Sequence, residues 1–361
     1  MVTLYITYIL LFGFLLLAIY IYNGFKFELR KMPIYKTSPK LSVIIALRNE
    51  EKNIDQLINS LSQLNYPEEN FEVILVDDNS NDKTFSLIES RIAGKKNYTL
   101  IKADQKEFEG KKGALSVGIT NAKNNFIVIT DADCKPELNW LKAMASKLDA
   151  GFDFVFGVAP IESGETLVKK LSAFENLRNT YLTIAAVGLN IPYSAAARSF
   201  AFRKKSYERI GGYSKTIETL SGDDDLLLRE AVKNKMLIGT LIDPEAFVYS
   251  PAPKSFDEYF MQKHRHLQTS FHYLLNQKLF LGFWHLINLF SLISVLFIFI
   301  SPVLALPFAA KIVYDLFIII KHQQELGHKF KFYEIIYLQI LFEIFLVINF
   351  FKSLSGKTEW K

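Results

Sequence analysis

Asp131 and Asp133 stand two residues apart, just past the apolar run Phe126-Ile127-Val128-Ile129-Thr130. Side chains alternate along a strand, so this spacing predicts two carboxylates on one edge as the strand runs out. At the mouth of a parallel sheet such a pair can hold a hard divalent cation and, through it, a diphosphate. Asp-x-Asp also occurs in solvated turns, so the pair gains weight only from its neighbours in the chain. Val76-Asp77-Asp78-Asn79-Ser80 ends a second apolar run, where a carboxylate can accept hydrogen bonds from a base or a ribose. The plainer account of that segment is a turn capping the next helix. Arg48-Asn49-Glu50-Glu51 ends a third run, placing Glu50 on the same rim or, equally, at a helix start that favours acids.

Two further clusters carry charge. Gly110-Lys111-Lys112-Gly113 precedes a helical pattern, where glycines permit close backbone approach and an ammonium beside a helix N-terminus would favour phosphate. The pattern is not a P-loop, since the spacing to Lys-Ser/Thr is wrong, and a simple turn is the competing account. Ser221-Gly222-Asp223-Asp224-Asp225 opens a helix over 226–233. Three acids at a helix start are electrostatically favourable in themselves. Like charges this close can also raise one carboxylate toward the pKa of a useful general base. Residues 255–275 read as an amphipathic helix with Phe256, Tyr259, Phe260, Leu267, Phe271 and Leu274 on one stripe. Gln262, Arg265, His266 and Thr269 fall on the opposite side. Because the helix runs into a membrane-like segment, its stripe is expected at the membrane interface and its polar face toward the preceding domain.

The elements that must position these residues alternate strand and helix. Strands are expected at 41–47, 71–76, 98–101 and up to Thr130, and helices at 50–64, 83–92 and 111–123. This predicts an open, mostly parallel α/β sheet with helices on both faces.

Half of the 361 residues are apolar, 31 of them Phe, and mean hydropathy is slightly positive. The excess sits at the two ends. Thr3–Tyr22 has no charge and is long enough to cross a bilayer, with no basic residue before it and no small-residue cleavage site after it. It reads as an uncleaved anchor. Lys26, Arg30, Lys31, Lys36 and Lys40 follow and place that side in the cytoplasm. Beyond residue 278 the chain is membrane-like again, at 279–300, at 308–320 with Lys311 and Asp315, and at 333–351 with Glu334 and Glu343. Three crossings would leave the tail from Lys352 to Lys361 outside, against the positive-inside rule, so two to three spans are expected. The division is then an anchor at 1–24, a cytoplasmic domain at 40–254, an interfacial helix at 255–276 and a membrane region at 279–351. The net charge of +5 is mostly juxtamembrane lysine, and no basic run interleaved with aromatics points to nucleic acid. A single cysteine, Cys134, excludes an internal disulfide and a cysteine-based zinc site.

In order, these segments resemble the membrane-bound family 2 glycosyltransferases, the group of cellulose, chitin and hyaluronan synthases and ceramide glucosyltransferase. The likeness runs from about Leu41 to His272. It is carried by Ser42–Glu51, Val76–Ser80, Thr130–Asp133, Phe200-Ala201-Phe202-Arg203 before Gly211-Gly212-Tyr213, Gly222–Asp225, and Gln262-Lys263-His264-Arg265-His266. The last segment has His266 where the family has Trp. The resemblance implies a GT-A, Rossmann-like nucleotide-diphospho-sugar transferase domain between N- and C-terminal transmembrane helices. It also implies inverting transfer from a UDP- or GDP-sugar to a hydroxyl of a lipid or other membrane-embedded acceptor, dependent on Mg2+ or Mn2+. Asp77 or Asp78 would then contact the base, Asp131 the ribose or metal, and Asp133 the metal directly, with Lys112 and Arg265 near the diphosphate. The family's catalytic acid falls on Asp223 or Asp224, and Asp224 is the expected base. A processive polysaccharide synthase is the alternative expectation, and a non-enzymatic membrane scaffold a more distant one.

Overall fold

The structure, a computed structural model, describes residues 2–31 and 37–353. Lys36 and the tail after residue 353, counted above as basic flanks, lie outside the described residues. Along the chain come α1 (Val2–Leu29), β1 (Leu41–Leu47), α2 (Ile54–Ser62), β2 (Phe71–Asp77), α3 (Thr84–Ile92), β3 (Tyr98–Lys102), α4 (Gly110–Asn121) and β4 (Phe126–Ile129). Then follow β5 (Lys135–Pro136), α5 (Trp140–Asp149), β6 (Phe154–Gly157), α6 (Leu167–Gly188), β7 (Phe200–Arg203), α7 (Lys204–Arg209), α8 (Asp225–Lys233), β8 (Ile238–Leu241) and β9 (Val248–Tyr249). The helices α9 (Phe256–Ser270), α10 (Leu275–Ile293), α11 (Leu306–His322) and α12 (Phe332–Ser353) come after these. They group into two compact units.

The α/β unit takes residues 31–162 and 193–251. Its seven-stranded sheet has the order β3-β2-β1-β4-β7-β6-β8. β1 pairs in parallel with β2 and β4, and β2 with β3. β7 runs antiparallel to both β4 and β6, and β6 and β8 are parallel. The sheet is therefore mixed beyond β4, where the sequence reads least regularly. β1 and β2 are mostly apolar, broken only by Ser42, Glu72 and the terminal Asp77, because both faces of the sheet are covered. On one face α2 buries Ile54, Leu57, Ile58 and Leu61 at helical spacing. Leu47 stands opposite Asp77, and Ile44 opposite Ile129. Carrying that register forward brings the chain after β4 level with the ends of β1 and β2, so their three loops share one rim.

The second unit takes the described residues up to Arg30, then Ser163–Pro192 and those from Ala252 onward. Four of its helices are long and apolar enough to cross a membrane: Thr3–Leu29, Leu275–Phe297, Pro302–His322 and Phe332–Lys352. Phe12, Phe283 and Leu296 on them are exposed, as lipid-facing side chains would be. The charges that made the last two segments doubtful as spans are turned inward and paired. Lys311 lies 2.8 Å from Asp315 and 3.3 Å from Glu343, and Arg178 of α6 lies 2.5 Å and 3.6 Å from the same two carboxylates. Two cations and two anions buried together cost far less than any one of them alone.

α6 has no counterpart in the sequence reading. It meets α1 with the backbones nearly touching: a Cβ on Gly188 would lie 2.1 Å from the Gly24 carbonyl oxygen, and one on Gly24 2.5 Å from that of Ala185. Small residues allow this approach between helices in lipid. Gly188→Leu is expected to force the pair apart at a cost of about 1–3 kcal/mol. It should lower the thermal midpoint of the full-length protein in nanodiscs, whereas Gly282→Ala, with nothing within 4 Å of its Cβ, should not.

α9 begins after the Ser255 cap, whose hydroxyl accepts from Glu258 N (3.2 Å). The apolar stripe divides in a way the sequence does not foresee. Phe256 and Phe260 stack on Phe345 of α12, at 5.6 and 5.8 Å between ring centroids, while Phe271 is exposed. The first half of the stripe is thus a helix–helix contact rather than a free interfacial face. Tyr259 and Lys263 on the same helix hold Glu175 of α6 at 2.5 and 3.2 Å.

Candidate active site

The rim begins with two asparagines in left-handed backbone conformation, Asn49 after β1 and Asn79 after β2, at φ +57° and +56°. Asparagine tolerates this region better than most residues. It lets the two turns lace together: Asn49 N donates to Ser80 Oγ (3.0 Å), and Asn81 N donates to Asn49 Oδ1 (2.8 Å). Asp77 and Asp78 are fixed between them, both buried. Asp77 Oδ2 accepts from Ser80 N (3.3 Å), and Asp78 Oδ1 meets the Lys106 ammonium. The other oxygen of each, with Arg48 Nε and Thr130 Oγ1, is buried without a hydrogen-bond partner among the described residues. Buried polar atoms are seldom left so. Two acceptors and two donors on one rim form a recognition set for a polar ligand. Glu50 is engaged locally: its carboxylate accepts from Asn53 Nδ2 (2.6 Å) at the approach to α2. Lys106 escaped the sequence reading, since nothing in its spacing marks it.

After β4 the sequence expectation needs a correction. The strand stops at Ile129, and Asp131–Cys134 form a turn in which Cys134 N donates to the Asp131 carbonyl (3.2 Å). Strand alternation therefore does not align the carboxylates; the turn brings them together. Ligand atoms of Asp131, Asp133 and Cys134 all lie within 4.8 Å of one another. Burial raises the Asp133 pKa, and the charge of Asp131 raises it further, against the pull of the Cys134 thiol, Arg198 and Lys111. A divalent cation would relieve that repulsion, and carboxylate oxygens are the donors that Mg2+ or Mn2+ takes. Burial and the same two aspartates hold Cys134 as the neutral thiol, a poor ligand for a hard ion.

Of the two adjacent lysines, the structure brings Lys111 rather than Lys112 to these acids. Lys111 Nζ lies 2.7 Å from Asp131 Oδ1 and 2.7 Å from Asp223 Oδ2. Burial pulls its pKa down, but the two carboxylates outweigh this and leave it above the usual lysine value. Lys112 points away. It is buried and donates to the carbonyls of Thr216 and Thr219 (2.9 Å for the latter), and burial lowers its pKa to about 8. Lys112 thus supports the loop leading to the acid cluster.

That cluster separates into three roles. Gly222, at φ +78°, makes the turn into it. Asp224 is the N-cap of α8: one oxygen accepts from Asp225 N (2.8 Å) and the other from Ala197 N (2.8 Å). Burial, then the charges of Asp225 and Asp223, push its pKa well up. Asp225 accepts from Ser194 Oγ (2.7 Å) and Ala195 N (3.1 Å). Asp223 alone reaches the Asp131 side, through Lys111. The structure thus joins Asp131 and Asp223 through one ammonium, with Asp133 beside Asp131, and spends Asp224 and Asp225 on the 194–197 segment. Gln262, Arg265 and His266 belong to α9 in the other unit, the first two half-buried and His266 exposed.

Residues 42–211 match the family described as Glycosyl transferase family 2. Glycosyltransferase AglE of Haloferax volcanii is 28% identical over 145 residues, 39% of this chain and 47% of that protein. The beta-monoglucosyldiacylglycerol synthase of Trichormus variabilis is 25% identical over 207 residues, 53% of this chain and 41% of that protein. The chain thus spans less than half the length of either relative. A mannosyltransferase from Pyrobaculum calidifontis, solved with GDP-Man and Mn2+, shares the fold at a TM-score of 0.61 and 18% identity, over 98% of this chain and 99% of that one.

Proposed function

We propose, from the match of residues 42–211 to glycosyl transferase family 2, that the chain moves a single sugar from a nucleoside diphosphate sugar to a hydroxyl of a lipid or other membrane-embedded acceptor, with inversion. The observation that carries this reading is the convergence of Asp131, Asp133 and Asp223 on one rim with the partner-free oxygens of Asp77 and Asp78. Asp77 and Asp78 accept hydrogen bonds from the base or ribose of a UDP- or GDP-sugar. Asp131 and Asp133 would hold Mg2+ or Mn2+, which would supply positive charge against the diphosphate leaving group. The Pyrobaculum mannosyltransferase was solved in complex with GDP-Man and Mn2+.

Asp223 is the base in this reading, in place of Asp224. A general base needs access to the proton it takes, and both Asp224 oxygens are engaged by backbone amides inside the protein. The acceptor hydroxyl gives its proton to Asp223 while its oxygen bonds to the anomeric carbon. The bond to the diphosphate oxygen breaks on the opposite face, and the nucleoside diphosphate leaves with the electron pair. Asp224 and Asp225 position the loop.

A lipid acceptor is supported by the four helices long and apolar enough to span a bilayer, and by the Trichormus relative, by name a synthase of a glucosylated diacylglycerol. A cytoplasmic position for the α/β unit is supported by the lysines after α1. Full-length protein in nanodiscs, given UDP- and GDP-sugars and a lipid extract, is expected to yield one lipid species heavier by one sugar. Release of a long water-soluble polymer would replace this reading with a processive synthase.

A further inference from the structure

Lys111 occupies an unusual place for a cation. It lies in the first turn of α4, where the helix end carries partial positive charge and disfavours an ammonium. Two carboxylates from distant parts of the chain overcome this, Asp131 after β4 and Asp223 before α8, each at 2.7 Å. The side chain is 12% exposed, so water screens these contacts only weakly. The Asp131 carboxylate held by Lys111 is also one of the groups converging with Asp133 and Cys134.

We propose that Lys111 is a built-in counter-ion that competes with the divalent cation for Asp131, so that cation binding shifts Lys111 onto Asp223 alone. This rests on the reading of Asp131 and Asp133 as cation ligands. An ammonium and a divalent ion sharing one carboxylate would repel each other at close range, and Coulomb's law makes that repulsion large in a poorly hydrated site. Lys111 need not leave the site to relieve it. Its four-carbon stem is flexible and Asp223 is already a second anchor. Two consequences follow: the cation binds more weakly than the acids alone would allow, and loading of the cation is felt at Asp223. Lys111 is thereby a positioning residue, acting through the two aspartates.

The test is a Mn2+ titration of the full-length protein in nanodiscs without nucleotide sugar, with free Mn2+ read by electron paramagnetic resonance. Lys111→Met and Lys111→Gln, two independent ways of removing the charge, should each bind Mn2+ on the order of tenfold more tightly than the parent. Lys111→Arg keeps the charge and should stay near the parent value. Asp133→Ala should lose this binding and leave the free Mn2+ signal undiminished, which assigns the binding to this site. Equal or weaker Mn2+ binding in both neutral variants overturns the competition and leaves the cation ligands standing. Absence of binding in the parent and all Lys111 variants, or undiminished binding in Asp133→Ala, overturns both readings.

Discussion

Asp223→Asn should lower turnover by ~10²–10⁴ while sparing affinity for the nucleotide sugar, because the loss of a general base leaves the donor's contacts in place. Asp224→Asn is the informative partner. Asparagine is as good an N-cap as aspartate, so α8 should still start correctly. With a single acceptor oxygen it gives up one of the two amide contacts, a loss of about 1 kcal/mol. Its turnover should therefore fall far less. Steady-state kinetics with the donor and acceptor varied separately, beside donor binding by calorimetry, decides between them. A larger loss in Asp224→Asn would return the base to the cap residue, and unchanged rates in both would make the cluster only a helix start.

Removal of the cation site should be as severe and carry an opposite signature in stability. EDTA is expected to abolish transfer, Mg2+ or Mn2+ to restore it, and Asp133→Asn to leave no activity that either ion rescues. The same variant should melt higher than the parent in chelator at neutral pH. In the folded protein burial, and then Asp131, raise the pKa of Asp133. Folding thus favours its protonated form, a stabilisation present at acid pH and lost as the pH rises through the raised value. Asparagine removes the ionisation and keeps the shape. Thermal melts across pH should converge for parent and variant at the acid end. Full activity in chelator would refute the cation reading.

The first four strands and three helices were legible because each is a short, largely apolar run, or a 3.6-residue pattern, bounded by turn residues. The site was less so, for reasons of phase. Lys111 and Lys112 are identical neighbours, and successive residues on a helix point about 100° apart, so the choice depends on where α4 begins. It begins at Gly110, one residue before the start expected from the sequence. The same holds among Asp223, Asp224 and Asp225, where the start of α8 makes one of them a cap. α6 was illegible for another reason. Its charged Glu175 and Arg178 look like surface residues, and the partners that allow their burial, Tyr259, Lys263, Asp315 and Glu343, come 84 to 165 positions later. A single sequence shows no such pairing.

That separation matters to anyone making or cutting this protein. On the ribosome β4 and β6 emerge before α6, but the strand that joins them in the sheet, β7, emerges after it. The nascent chain therefore exposes an unpaired strand edge, a known route to aggregation. At that moment it also displays a helix whose buried charges still lack their partners. Trimming to residues 40–254 keeps β7 but makes the second defect permanent, since α6 stays within the piece while α1, α9, α11 and α12 are removed. A clipped enzyme of that kind should precipitate, whereas the full-length chain supplied with lipid during translation should not.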